Sequence, residues 1–142
     1  MIYVLQLFSS FSMFSLIWLV QILHYPSFQY IREEEFKHFH KLHSDRITWI
    51  VLPLMLCEML TAIALCAFYP LNPLWTFTLL LTISNWLLTG FLSVPLHDKL
   101  GQNFDIKIIR RLVSSNWPRT FVWTLKAFVL LWDFYKRHLI IT

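Results

Sequence analysis

Four apolar runs, each about as long as a bilayer is thick when coiled as a helix, constrain this chain more than any other feature. A membrane-crossing helix takes about 20 residues. Met1 to Leu23, Ile47 to Tyr69, Leu74 to Leu96 and Trp117 to Tyr135 each reach that length or come close to it. The expected fold class is all-α: a four-transmembrane-helix bundle in one domain spanning residues 1–142. The first run lacks the basic start and the small-residue cleavage site of a secretory signal, so it counts as a span. "PLNP" joins the second and third runs through a tight uncharged turn with proline at both ends, which makes them an antiparallel hairpin.

Charge sets the expected orientation. Only 14% of residues are charged against 57% hydrophobic, and the net charge is +4. A basic balance can signal nucleic acid, but here the cations lie between apolar runs, so no nucleic-acid partner is expected. Arg32, Lys37, Lys41 and Arg46 belong to the first connection, and Lys99, Lys107, Arg110, Arg111 and Arg119 to the third; the other side has only Lys136 and Arg137. The positive-inside rule therefore puts both long connections in the cytoplasm and both termini outside. Trp49, Trp75, Trp117 and Trp132 fall near run ends, as in an interfacial belt. Each long connection is expected to hold an amphipathic helix. One starts at Pro26 and Ser27 and carries three glutamates in its early turns; the other, "FDIKIIRRLV", alternates an apolar stripe with a basic one and suits the membrane surface. Cys57 and Cys66, nine residues apart in one run, cannot bridge and form no metal motif.

The polar residues then sort by depth. His24, His40, His43 and His97 all sit at the cytoplasmic ends of runs, and Asn116, Trp117 and Arg119 open the fourth run at the same level. His40 and His43, three apart on a helix, share a face. Imidazoles converging from several helices are how bundles bind transition metals or haem iron. The four histidines are thus candidate ligands for copper, iron, zinc or haem, with the acids Glu33 to Glu35 and Asp45 as outer acceptors of the imidazole N–H groups. His38 points elsewhere, and His138 near the C-terminus is set aside.

Glu58, Asn85 and Lys126 occupy the centres of the second, third and fourth runs, about 15 Å from the cytoplasmic ends at 1.5 Å per residue. A charge at that depth costs at least ~2.5–3.5 kcal/mol, so the acid and base should face inward and pair, with Asn85 close by and Ser9, Ser10 and Ser12 of the first run at the same level. His43 to Glu58 is about 22 Å along one helix, too far for a shared metal.

The fragments "HYPSF", "FHKLHSDRITWIVLPLMLCE", "VPLHDKL" and "SNWPRTFVWT" together resemble a group of small bacterial four-helix membrane proteins and, more distantly, the anthrone oxygenase-like membrane family. The residues that carry the resemblance are His24, Pro26, His40, His43, Arg46, Pro53, Glu58, Pro95, His97, Asn116, Trp117, Arg119 and Trp123; Pro118 departs from the pattern. The distant resemblance implies oxidation of a lipophilic aromatic, and the closer one a bacterial inner membrane. The leading expectation is a metal- or haem-dependent membrane oxidoreductase acting on a lipophilic small molecule. Its metal would be held by the four histidines. Glu58, Arg46, Arg119 and Lys126 would be the catalytic residues, with Arg46, Arg119 and Asn116 orienting ligands or substrate and Glu58 and Lys126 lining the pocket. Asn116, Trp117 and Asn85 would bind the cofactor. Two alternatives remain open: a homo-oligomeric transporter or channel with Glu58 and Lys126 on its path, and a structural or assembly subunit.

Overall fold

The computed structural model describes residues 1–139, with side chains through Arg137. The set-aside His138 lies outside those described side chains. Five helices carry the chain: α1 (Ile2–Tyr30), α2 (Glu33–Phe68), α3 (Pro73–Gln102), α4 (Ile106–Ser115) and α5 (Trp117–Leu139). No strand occurs among the described residues. The first three are long and apolar enough to cross a membrane. The last, α5, has the length but not the composition, because Arg119 and Lys126 interrupt its apolar run and Asp133, Lys136 and Arg137 close it. Around the bundle α1 packs on α2 and α5, and α3 packs on the same two, which closes a ring of four long helices. The outer faces are apolar: Phe8, Leu60, Phe91, Phe121 and Phe128 are all exposed.

Pro26 does not start a helix, contrary to expectation. It continues α1, which runs on to Tyr30 before Ile31 and Arg32 turn extended. A proline lacks the N–H for a helical bond and its ring collides with the carbonyl four residues back. In α1 a π-helical turn, Val20–His24, lies just ahead of Pro26 and widens the backbone there. In α3 the same device recurs: a π-turn at Thr89–Ser93 stands just ahead of Pro95. Single π-turns of this kind gather at functional sites.

The first connection is therefore short. Its acids Glu33, Glu34 and Glu35 occupy the first turn of α2, where they meet the positive end of the helix dipole. From there α2 continues as one 36-residue rod into its apolar run, with no break at residue 47. Asn72 caps α3 by accepting the Leu74 N–H at 3.0 Å, and Asp105 caps α4 by accepting the Lys107 N–H at 2.7 Å. The basic face of α4 (Lys107, Arg110, Arg111) is exposed, as its spacing predicts. Its apolar face does not meet lipid alone: Ile109 and Leu112 are buried against Phe28, Phe36, Leu96 and Leu100. Two further apolar layers fill the bundle, one of Met13, Ile17, Met55 and Trp123, the other of Leu65, Trp75 and Leu130 at the opposite end.

Candidate functional site: an imidazole cluster over a lateral cleft

His24, His40, His43 and His97 are brought together from α1, α2 and α3. Ring centroids lie 4.4 Å apart for His24 and His43, 5.3 Å for His40 and His97, and 5.7 Å for His43 and His97. The two π-turns contribute to this, since His24 closes one and His97 follows the other by four residues. Phe28 and Phe36 pack on the rings and hold them. His38 is exposed and apart from them.

The donor atoms point at one another rather than at a common centre. His24 Nε2 lies 2.7 Å from His43 Nδ1, and His40 Nε2 lies 3.0 Å from His97 Nδ1. His97 Nε2 lies 3.0 Å from the Tyr25 hydroxyl. Among the described residues no group of three or more His, Cys, Asp or Glu side chains is arranged to hold a metal ion. The acids expected as outer acceptors are elsewhere: Glu33, Glu34 and Glu35 are exposed, and Asp45 pairs with Lys41 at 2.7 Å on the surface. The imidazoles instead bond to each other in two pairs, and His43 Nε2 is left buried without a partner among the described residues. Each neutral ring has one N–H and one bare nitrogen. Tyr25, His97 and His40 therefore form a chain in which Tyr25 donates to His97 and His97 to His40, or the reverse. Reversal moves one proton from end to end without moving a heavy atom.

This chain lies on the wall of a cleft of about 900 Å³ between α1, α2 and α3. Apolar side chains such as Ile17, Val51 and Met55 line its inner half, and Lys37, Lys41, Asp98 and Gln102 its mouth. The cleft opens sideways along α2 and α3, where exposed Leu52 and Val94 flank it and Gly90 has open space where a Cβ would stand. Tyr25, Ser93, His97 and Arg119 supply its polar inner wall.

Arg119 is 5% exposed. Its Nη1 donates to Ser93 Oγ at 2.8 Å and to Asn116 Oδ1 at 2.9 Å, and its guanidinium lies over the Trp123 ring at 5.2 Å. Asn116 in turn donates to Gln21 Oε1 at 2.9 Å, tying α5 to α1.

Deeper in the bundle, Lys126 Nζ lies 2.9 Å from Glu58 Oε1, with both side chains sealed from solvent. Ser10 donates to the same oxygen at 2.9 Å, and the Trp123 indole N–H to the other at 3.1 Å. Lys126 also donates to Thr82, which stands where Asn85 was expected. Asn85 is buried one turn along, and neither amide atom finds a partner among the described residues. The histidine and midplane layers are thus joined through Trp123, whose edge meets Glu58 and whose face meets Arg119.

Glu58, Lys126, Asn85, Asn116, Trp117 and Arg46 do not line the cleft. Arg46 is exposed, and Trp117 is 51% exposed, edge-on to Trp18 at 6.0 Å. Tyr25, Ser93 and Trp86, which do line it, were not among the sequence candidates. Tyr25 directly follows His24, and in a regular helix neighbours point about 100° apart, so the spacing gave no signal. No family model, no curated protein and no solved structure matches this chain.

Proposed function

We propose that this is a four-span integral membrane protein that binds a lipid-soluble molecule in the cleft between α2 and α3 and exchanges protons with its polar head through Tyr25, His97 and His40. The observation that carries this reading is the joining of an apolar, laterally open cavity to a hydrogen-bonded phenol–imidazole chain. The fourth crossing is supported by the way α5 is turned: Phe121, Phe128 and Leu131 face out, while Arg119 and Lys126 are buried inside. The excess of cations on the α4 side supports a cytoplasmic location for that side and an outer location for both termini, and the resemblance to small bacterial membrane proteins makes the proposed membrane a bacterial inner one.

A lipid-soluble photoreactive probe tests the cleft. Crosslinks should map to residues 47–55 and 86–94 and fall on Gly90→Phe, which fills the opening. Labelling that ignores Gly90→Phe would defeat the reading.

An oxidoreductase needs a redox centre as well. The histidine quartet is the nitrogen-rich candidate, and copper, iron, zinc or a haem iron would have to replace the His24–His43 and His40–His97 hydrogen bonds. Elemental analysis and a visible spectrum of the detergent-purified protein decide this. Stoichiometric metal lost on His97→Ala but kept on His38→Ala supports oxidoreductase chemistry. Equal metal in both variants, or none in the parent, confines the site to binding and proton exchange. Transport through the midplane has less support, because the Glu58 carboxylate is fully engaged by Ser10, Trp123 and Lys126.

A further inference from the structure

Charge accounting around the cleft points to the kind of molecule it takes. The bundle buries three charged side chains, Glu58, Lys126 and Arg119. Glu58 and Lys126 neutralise each other. Arg119 is left over. Its neighbours are the hydroxyl of Ser93, the amide oxygen of Asn116 and the phenol of Tyr25, all neutral groups, and among the described residues no carboxylate pairs with it. A buried cation without a counter-charge is expensive and is normally paired. Asp45 and Asp98, the acids at the cleft mouth, are both exposed, and Asp45 is held by Lys41.

Arg119 also has a hydrogen-bonding position to spare. Its Nε–H is buried and finds no partner, and neither does the Nε1–H of Trp86; both residues line the cleft. A guanidinium with Nη1 fixed by protein and Nε unclaimed suits an oxygen acceptor approaching from the cavity, and charge-assisted bonds of that kind are about twice as strong as neutral ones. Beyond this donor set and its neighbours Tyr25, Ser93 and His97, the inner cleft is apolar, with Ile17, Val51 and Met55.

From these observations we infer that the occupant of the cleft is an amphiphile with an anionic oxygen head, seated on Arg119, and an apolar tail that leaves between α2 and α3. The inference rests on the cleft being a site for lipid-soluble molecules and adds the sign of the head group. A free fatty acid and an anionic phospholipid share that chemistry. A neutral lipid of the same tail does not.

The test compares radiolabelled palmitate with hexadecanol, which share a tail length, on the intact protein in a neutral detergent at alkaline pH. Palmitate should bind about tenfold or more tightly, the worth of one charge-assisted contact. Arg119→Lys should keep part of that preference and Arg119→Gln should abolish it, while Gly90→Phe should weaken both ligands. If Arg119→Gln does not fold, the comparison on the parent protein still decides. Equal binding of acid and alcohol, both lowered by Gly90→Phe, would overturn the anionic head and leave the cleft standing. No saturable binding of either, or binding indifferent to Gly90→Phe, would overturn the cleft and the inference together. Competition assigns the source: displacement of palmitate by phosphatidylglycerol but not phosphatidylcholine identifies a bilayer lipid, and displacement by neither identifies the free acid.

Discussion

At the scale of single residues, Trp123 and Glu58 do the most to define the interior. Glu58 accepts from a hydroxyl, an indole and an ammonium, so each donor removed leaves a lone pair without water to replace it. Trp123→Phe keeps a ring under Arg119 but removes the indole N–H, and should cost about 1–3 kcal/mol in detergent unfolding. Glu58→Leu strands the Lys126 ammonium in hydrocarbon and should cost about 3–5 kcal/mol, whereas adding Lys126→Leu should recover much of that. Thermal unfolding of the single and double variants checks the order. A double variant no better than Glu58→Leu would show that the ammonium finds another anchor. This midplane pair was legible in the sequence, because depth along a membrane helix is simple arithmetic and an unpaired charge at that depth is costly.

Elements explain what the sequence hid. Equal depth at span ends flagged the four histidines, but which rings face each other depends on helical phase, and phase is what a π-turn alters. Each π-turn accommodates one surplus residue, worth about 100° of rotation for everything beyond it. Regular 3.6-residue spacing carried past Val20 or Thr89 misplaces Tyr25 and Ser93, and both were missed. A local measurement follows. Deleting Phe91, an exposed residue inside the α3 π-turn, should restore an ordinary helix and be tolerated in folded yield. Deleting the likewise exposed Leu80 from the regular part should rotate everything beyond it and fail. Equal yields would mean the π-turn is not a register insertion. Helix ends were hidden for a related reason: Pro26 reads as a start signal only if the preceding helix cannot absorb it.

For the whole molecule, the helical class and the membrane-crossing length of α1, α2 and α3 were legible from apolar run length alone. The fourth run was expected to span on its length, but α5 does not have the composition of the other three, because its two buried cations lower its hydropathy while its outward face stays apolar. Single-cysteine labelling in a cysteine-free background measures the proposed topology. Asn103→Cys should react with an impermeant reagent only after the cells are opened, and Leu71→Cys in intact cells; the opposite pattern would invert the molecule. Arg119 has a bearing on this topology. In the proposed topology it lies about 10 Å along α5 from Lys126, on the cytoplasmic side and within the fourth span. On that topology an empty cleft would hold one unbalanced positive charge inside the membrane's electric field. An anion that enters from the cytoplasm moves toward the positive exterior as it seats, so the resting potential pulls it in. Complete transit is worth about 2.3 kcal/mol per 100 mV, and a seat part-way through receives a part of that. Loading would then be electrogenic, with occupancy that falls when the cell depolarises.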